Sequence, residues 1–178
     1  MRLEKLLSDR KGEIVDRWFN AVIDTYAPET ARIFKSRGNR FANPVAASTL
    51  DSLQEVFSGL LQAADTTQLA TALDPLVRIR AVQNFTPSQA TGFIFTLKTI
   101  IRNILRHELR TPRLADQLPP FEKKIDDLAL TAFDVYMQCR EKIYDLKAGQ
   151  ERNSVYRAFA RAGLISEISE DGPYPESN

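Results

Sequence analysis

Asp74-Pro75-Leu76-Val77-Arg78-Ile79-Arg80-Ala81-Val82-Gln83-Asn84-Phe85-Thr86-Pro87-Ser88-Gln89 opens the stretch that decides the fold, which runs on as a helical pattern to Arg110. Thr86 is a good N-cap, Pro87 suits the first helical position, and Gln89 completes a capping box. Phe85 and Ala90 hold the positions of a hydrophobic staple. The helix predicted over residues 87–109 carries Phe93, Phe95, Leu97, Ile100, Ile101, Ile104 and Leu105. It is apolar over more than half its circumference, which makes it central to a helical bundle. Lys98, Arg102, Arg106 and Arg110 recur along it at every fourth position. Like charges so spaced repel by a few tenths of a kcal/mol per pair. Two readings follow: acids elsewhere relieve them, with Asp116, Glu122, Asp126 and Asp127 as candidates, or the row is a ridge for phosphate or a partner.

Working upstream, Asp65-Thr66-Thr67-Gln68 is a second capping box, and Asp74-Pro75 is expected to end its short helix and restart the chain. Asn43-Pro44 is a cap-plus-proline start for a helix bearing Leu50, Leu53, Phe57, Leu60 and Leu61. Ala27-Pro28-Glu29 starts a short helix expected to end near Gly38. Residues 3–26 place Leu3, Leu7, Ile14, Trp18 and Val22 on one face of a single predicted helix, with Trp18 in the core. Downstream, Thr111-Pro112 stops the central helix and Leu118-Pro119-Pro120 starts the last long one. Its stripe is Phe121, Ile125, Leu128, Ala132, Val135, Cys139, Ile143 and Leu146, a coiled-coil-like seam that Gly149 is expected to interrupt. No run alternates as a strand does. The expected fold is all-α, a single helical bundle of four or five main helices over residues 1–149. A short helix over 150–165 and a disordered tail over 166–178 would follow.

The 178 residues carry a net charge of +1, with 43% hydrophobic and 26% charged side chains. Such a balance excludes a global field that would gather nucleic acid. No segment reaches the roughly 18 uninterrupted apolar residues of a membrane span, and no signal peptide is read at the N-terminus. The single cysteine, Cys139, excludes an intrachain disulfide and a Cys-based zinc cluster. These features place the protein in the cytoplasm. His107 is the one histidine, beside a helix end. It reads as a surface residue, with an axial haem or metal ligand as the alternative. No cofactor and no catalytic constellation is expected.

What remains is polar groups inside apolar patterns: Arg40 and Asn43; Arg78, Arg80 and Gln83; Arg140. Arginine bonds carboxylates and phosphates in pairs. These residues either brace the helices internally or border a small-anion or ligand pocket between them.

Arg17-Trp18, Pro28-Glu29-Thr30-Ala31-Arg32, Asn39-Arg40-Phe41-Ala42-Asn43-Pro44-Val45, residues 78–90 and residues 134–142 together resemble the N-terminal domain of the RsbRD type, named after stressosome co-antagonists of bacteria. The resemblance implies an all-helical bacterial sensor or regulatory domain, of the kind that precedes output domains in signalling proteins. Related stressosome sensor domains are globin-like without haem. After Gly149 no output domain is expected, which is similar to stand-alone versions found in sulfate-respiring bacteria near genes for respiratory redox complexes. The resemblance carries over no functional residues. The expected function is a non-catalytic signalling module that binds a small ligand or a protein partner. A dimerising adaptor on the last helix, an accessory subunit of a respiratory redox complex and a haem or metal sensor using His107 are the alternatives. A homodimer is a candidate state.

Overall fold

The computed structural model describes residues 2–35, 43–83 and 85–163. Its helices are α1 (Leu3–Asp9), α2 (Lys11–Ile23), α3 (Pro28–Lys35), α4 (Pro44–Gln62), α5 (Thr66–Val82), α6 (Pro87–Thr91), α7 (Phe93–Ile104), α8 (Pro112–Ala115) and α9 (Leu118–Arg161), with a 3-10 turn at Glu108–Arg110. The fold is all-α, with no strand among the described residues. The chain divides into two compact units, Met1–Arg140 and Glu141–Asn178. Among the described residues no helix is long and apolar enough to cross a membrane.

Local chemistry sets the helix starts. Asn43 accepts from the Ala46 N–H at 3.2 Å to cap α4. Asp65 and Gln68 exchange both bonds of a capping box at the head of α5, as do Thr86 and Gln89 at α6. These side chains satisfy amides that a helix's first turn leaves without partners.

Four boundaries differ from those expected, each for a physical reason. Residues 3–26 break at Arg10 into α1 and α2. Ser8, Asp9 and Gly12 are weak helix formers there, while the buried face continues from Leu7 to Ile14 across the break. Pro75 sits inside α5 instead of restarting it. A mid-helix proline costs about 3 kcal/mol. Leu73, Leu76 and Val77 are fully buried around it, and at about 1.5–3 kcal/mol each they outweigh that cost. The central helix is divided at Gly92, where the Phe95 N–H turns back to the Gly92 carbonyl at 3.2 Å. Gly149 does not interrupt α9. One glycine costs about 1 kcal/mol, and no proline or cap residue beside it provides another path.

In the first unit α4 packs along α5, and α2 lies against α7 and α4. Trp18 is fully buried, and its indole N–H donates to the Phe93 carbonyl at 2.9 Å, joining α2 to α7. From α9, Phe121, Ile125, Leu128, Ala132, Val135 and Cys139 enter the same core. The basic row on α7 meets the acids of α9: Lys98 pairs with Asp126, and Arg102 grips Glu122 through Nε and Nη2 at 2.6 and 2.7 Å. Asp127 pairs with Lys123 on its own helix. In the second unit residues 141–161 are helical, and Tyr144, Leu146, Val155, Tyr156 and Phe159 are exposed.

Candidate functional site

Arg80 lies one turn beyond Leu76 and Val77, on the buried face of α5, and is 0% exposed. The arginine stem at that register carries its charge into the core. Its Nη2 donates to the Thr25 hydroxyl at 2.8 Å and to the Gln89 carbonyl at 2.9 Å. Thr25 belongs to the turn closing α2, where its own hydroxyl donates to the Val22 carbonyl. Gln89 lies in α6, whose capping box fixes its backbone. One nitrogen thus ties the end of α2 to α6.

The other nitrogens are not so provided. Arg80 Nε and Nη1 have no hydrogen-bond partner among the described residues, and neither does the Tyr26 hydroxyl. A guanidinium has five N–H groups, so the one on Nε and the two on Nη1 are left over. Aromatic rings surround the cation. Its Cζ is 4.3 Å from the Phe85 ring centroid and 5.4 Å from those of Tyr26 and Phe93. Tyr26 in turn meets Phe34 and Phe85 edge-on, at 5.1 and 5.2 Å. The Tyr136 hydroxyl holds the Phe85 carbonyl at 2.6 Å, so α9 fixes one wall.

Burial dominates the electrostatics here. It pushes the Arg80 pKa below the ordinary arginine value, opposed by Tyr26. Burial likewise raises the Tyr26 phenol above 10.0, opposed by the Arg80 charge. The two groups act on each other, yet the hydroxyl makes no hydrogen bond of good geometry. No carboxylate among the described residues pairs with Arg80. Ring faces recover about 0.5–2 kcal/mol for a cation. Burying an unpaired charge costs several kcal/mol, so the rings do not close the balance. On its other side Tyr26 lines a groove of about 410 Å³ with Asp24, Pro28, Ala31, Arg32 and Lys35.

The other polar residues singled out in the sequence go elsewhere. Arg78 is exposed and grips Asp74 one turn back, with bonds of 2.8 to 3.0 Å. Gln83 is exposed at the end of α5, its N–H on the Ile79 carbonyl. Asn43 caps α4 and donates to the Ile33 carbonyl at 3.2 Å. Arg140 donates to the Ala81 carbonyl at 3.1 Å, beside Arg80 in the chain but through the backbone. Arg40, Asn84, the expected helix end at Gly38 and the tail over 166–178 lie outside the described residues. His107 is exposed, and no group of three or more metal-ligating side chains occurs among the described residues. Thr25, Tyr26 and Phe93 were not singled out as site residues. The buried register of Arg80 is written in the sequence, but no local pattern announces which residues 55 positions away receive it.

The described residues form an all-helical domain with a buried, incompletely bonded arginine. The chain is a member of the RsbT co-antagonist protein rsbRD N-terminal domain family, whose model matches residues 12–150. That is a regulatory domain family associated with stress signalling. An uncharacterized protein of Archaeoglobus fulgidus is 28% identical over 140 residues, covering 78% of this chain and 82% of that protein. No solved structure matches the chain.

Proposed function

We propose that this chain is a non-catalytic signalling module of the cytoplasm, which senses a small ligand or the state of a protein partner through the region around Arg80. The observation that carries this reading is the buried guanidinium with three N–H groups unpartnered among the described residues. Buried polar groups are almost always bonded, so an exception beside a groove is a binding-site signature. Family membership supports regulation over catalysis. The test is a thermal-shift screen of charged and neutral metabolites on the full chain, with partner binding compared between wild type and Arg80→Ala. A ligand at a hundred times its Kd adds about 2.7 kcal/mol, so a binder is visible. If no compound raises the Tm and Arg80→Ala leaves partner binding unchanged, the reading fails.

A second reading, a dimerising adaptor, is supported by the exposed Leu146, Val155, Tyr156 and Phe159. Light scattering on the full chain and on a chain ended after Leu146 tests it. A monomer in both rules it out.

A further inference from the structure

We infer that the Arg80 site takes a small organic monoanion, a monocarboxylate that accepts hydrogen bonds from the Arg80 Nε and Nη1 groups and from the Tyr26 hydroxyl. This rests on the reading above that Arg80 marks the responsive site.

The unmet groups define the ligand's chemistry. Arg80 offers only donors, and the Tyr26 hydroxyl beside it completes the set with one more. What they lack is an acceptor with several lone pairs, which a carboxylate has and a cation does not. The charge sets its valence. Arginine stays protonated at any working pH, and this one faces no acid among the described residues. One negative charge balances it. A second would be buried uncompensated against Phe85, Phe93 and Phe34, at a cost of several kcal/mol. The rings favour an organic body over a bare inorganic ion, because they offer it apolar surface to cover. Tyr26 belongs to both the cage and the groove of about 410 Å³. On that groove Lys35 is paired with Asp24, which leaves Arg32 to draw an anion towards it. Binding has a structural consequence as well. Arg80 already links α2 to α6, and an anion shared with Tyr26 would add the approach to α3 to the same link.

The experiment uses the full chain at constant ionic strength. Sodium propionate, benzoate, chloride, sulfate and phosphate are titrated by calorimetry and thermal shift against wild type, Arg80→Met and Tyr26→Phe. A monocarboxylate at a hundred times its Kd should raise the wild-type Tm by about 5–10 °C. The shift should vanish in Arg80→Met. Affinity should fall about tenfold in Tyr26→Phe, which removes one hydrogen bond to a charged acceptor. Should Arg80→Met not fold, Tyr26→Phe decides: unchanged affinity overturns the assignment and the tenfold loss supports it. No response to either carboxylate overturns it, and so does an equal response to sulfate or phosphate. A neutral compound that raises the Tm while no anion does would sink the monoanion and leave the sensing role standing.

Discussion

A buried guanidinium without an acid beside it is held by packing as much as by charge, and that sets what its replacement should cost. Methionine matches most of the Arg80 stem and removes the unmet donors. Replacing buried ions with apolar groups of similar volume is often neutral or stabilising. Arg80→Met in the absence of ligand should therefore lose no more than about 1 kcal/mol in urea melts, while Arg80→Ala, which leaves a cavity, should lose about 3. Equal losses in the two variants would mean that the Thr25 and Gln89 bonds, not the packing, hold the site. Tyr26 gives a pH signature with a definite sign. Its folded pKa is raised above 10.0, so the stability it contributes is complete below pH 10 and is lost as pH rises through the folded value. Alkaline melts of Tyr26→Phe should show a shallower fall in stability above pH 10 than wild type, and parallel curves would contradict the burial of the phenol. The Arg102–Glu122 pair offers a third measurement. Glu122 is 12% exposed and Arg102 59%, so solvent screens the cation more than the acid. With two good bonds, a double-mutant cycle should give a coupling of about 1 kcal/mol, whereas the exposed Lys123–Asp127 pair should give none that can be measured. At this scale the sequence was informative about charge and silent about reach. The basic row called for acids, and Asp126 and Glu122 answer its first two members, Lys98 and Arg102. The polar set around Arg80 did not distinguish a helix-surface arginine such as Arg78 from a buried one; the register of Leu73, Leu76 and Val77 on the single helix α5 does.

Among the elements, helix starts were easier to read than helix continuity. A start is a local event: Thr86 and Gln89, or Asp65 and Gln68, satisfy their own neighbours and need nothing distant. Whether a helix passes through Pro75 depends on what its flanks bury, and that is a tertiary quantity. Gly92 shows the opposite case, a break whose cause is spatial. A Cβ placed there would lie 2.6 Å from the Ser88 carbonyl oxygen, which itself accepts the Gly92 N–H at 2.8 Å. Alanine would gain about 1 kcal/mol of helix propensity, but the clash is with backbone and cannot be relieved by turning a side chain. The overlap should win. Gly92→Ala is expected to destabilise by about 1 kcal/mol, read as a lower midpoint in chemical denaturation with an unchanged slope. A more stable variant would show that α6 and α7 merge into one helix at little cost to the Gln89 carbonyl that Arg80 uses.

For the whole molecule, the all-α class followed from periodicity, since nothing along the chain alternates as a strand must. The division of the chain did not follow from it. The apolar stripe of the last helix reads without a break from Phe121 to Leu146, yet burial stops at Cys139. Periodicity reports which face of a helix is apolar and not what covers that face. All the described buried side chains lie between Leu3 and Cys139. Residues 141–163 contribute no buried side chain of their own to the hydrophobic term. A chain ended after Leu146 should keep the core, since the N–H groups of residues 141–144 still donate to the carbonyls of the last turn up to Arg140. It should also keep the Tyr136 bond to Phe85 and the Arg140 bond to Ala81, and with them the walls around Arg80. Its Tm should fall by no more than about 2–4 °C, the shift that 1 kcal/mol produces in a domain of this size. In the full chain, amide exchange should be fast over residues 147–161 and slow over α2, α4 and α7, because only the latter sit under buried apolar cover. A larger fall in Tm, or slow exchange past residue 147, would mean that the exposed Leu146, Val155, Tyr156 and Phe159 are covered in solution. Concentration-dependent melting would then identify that cover as a second copy of the chain.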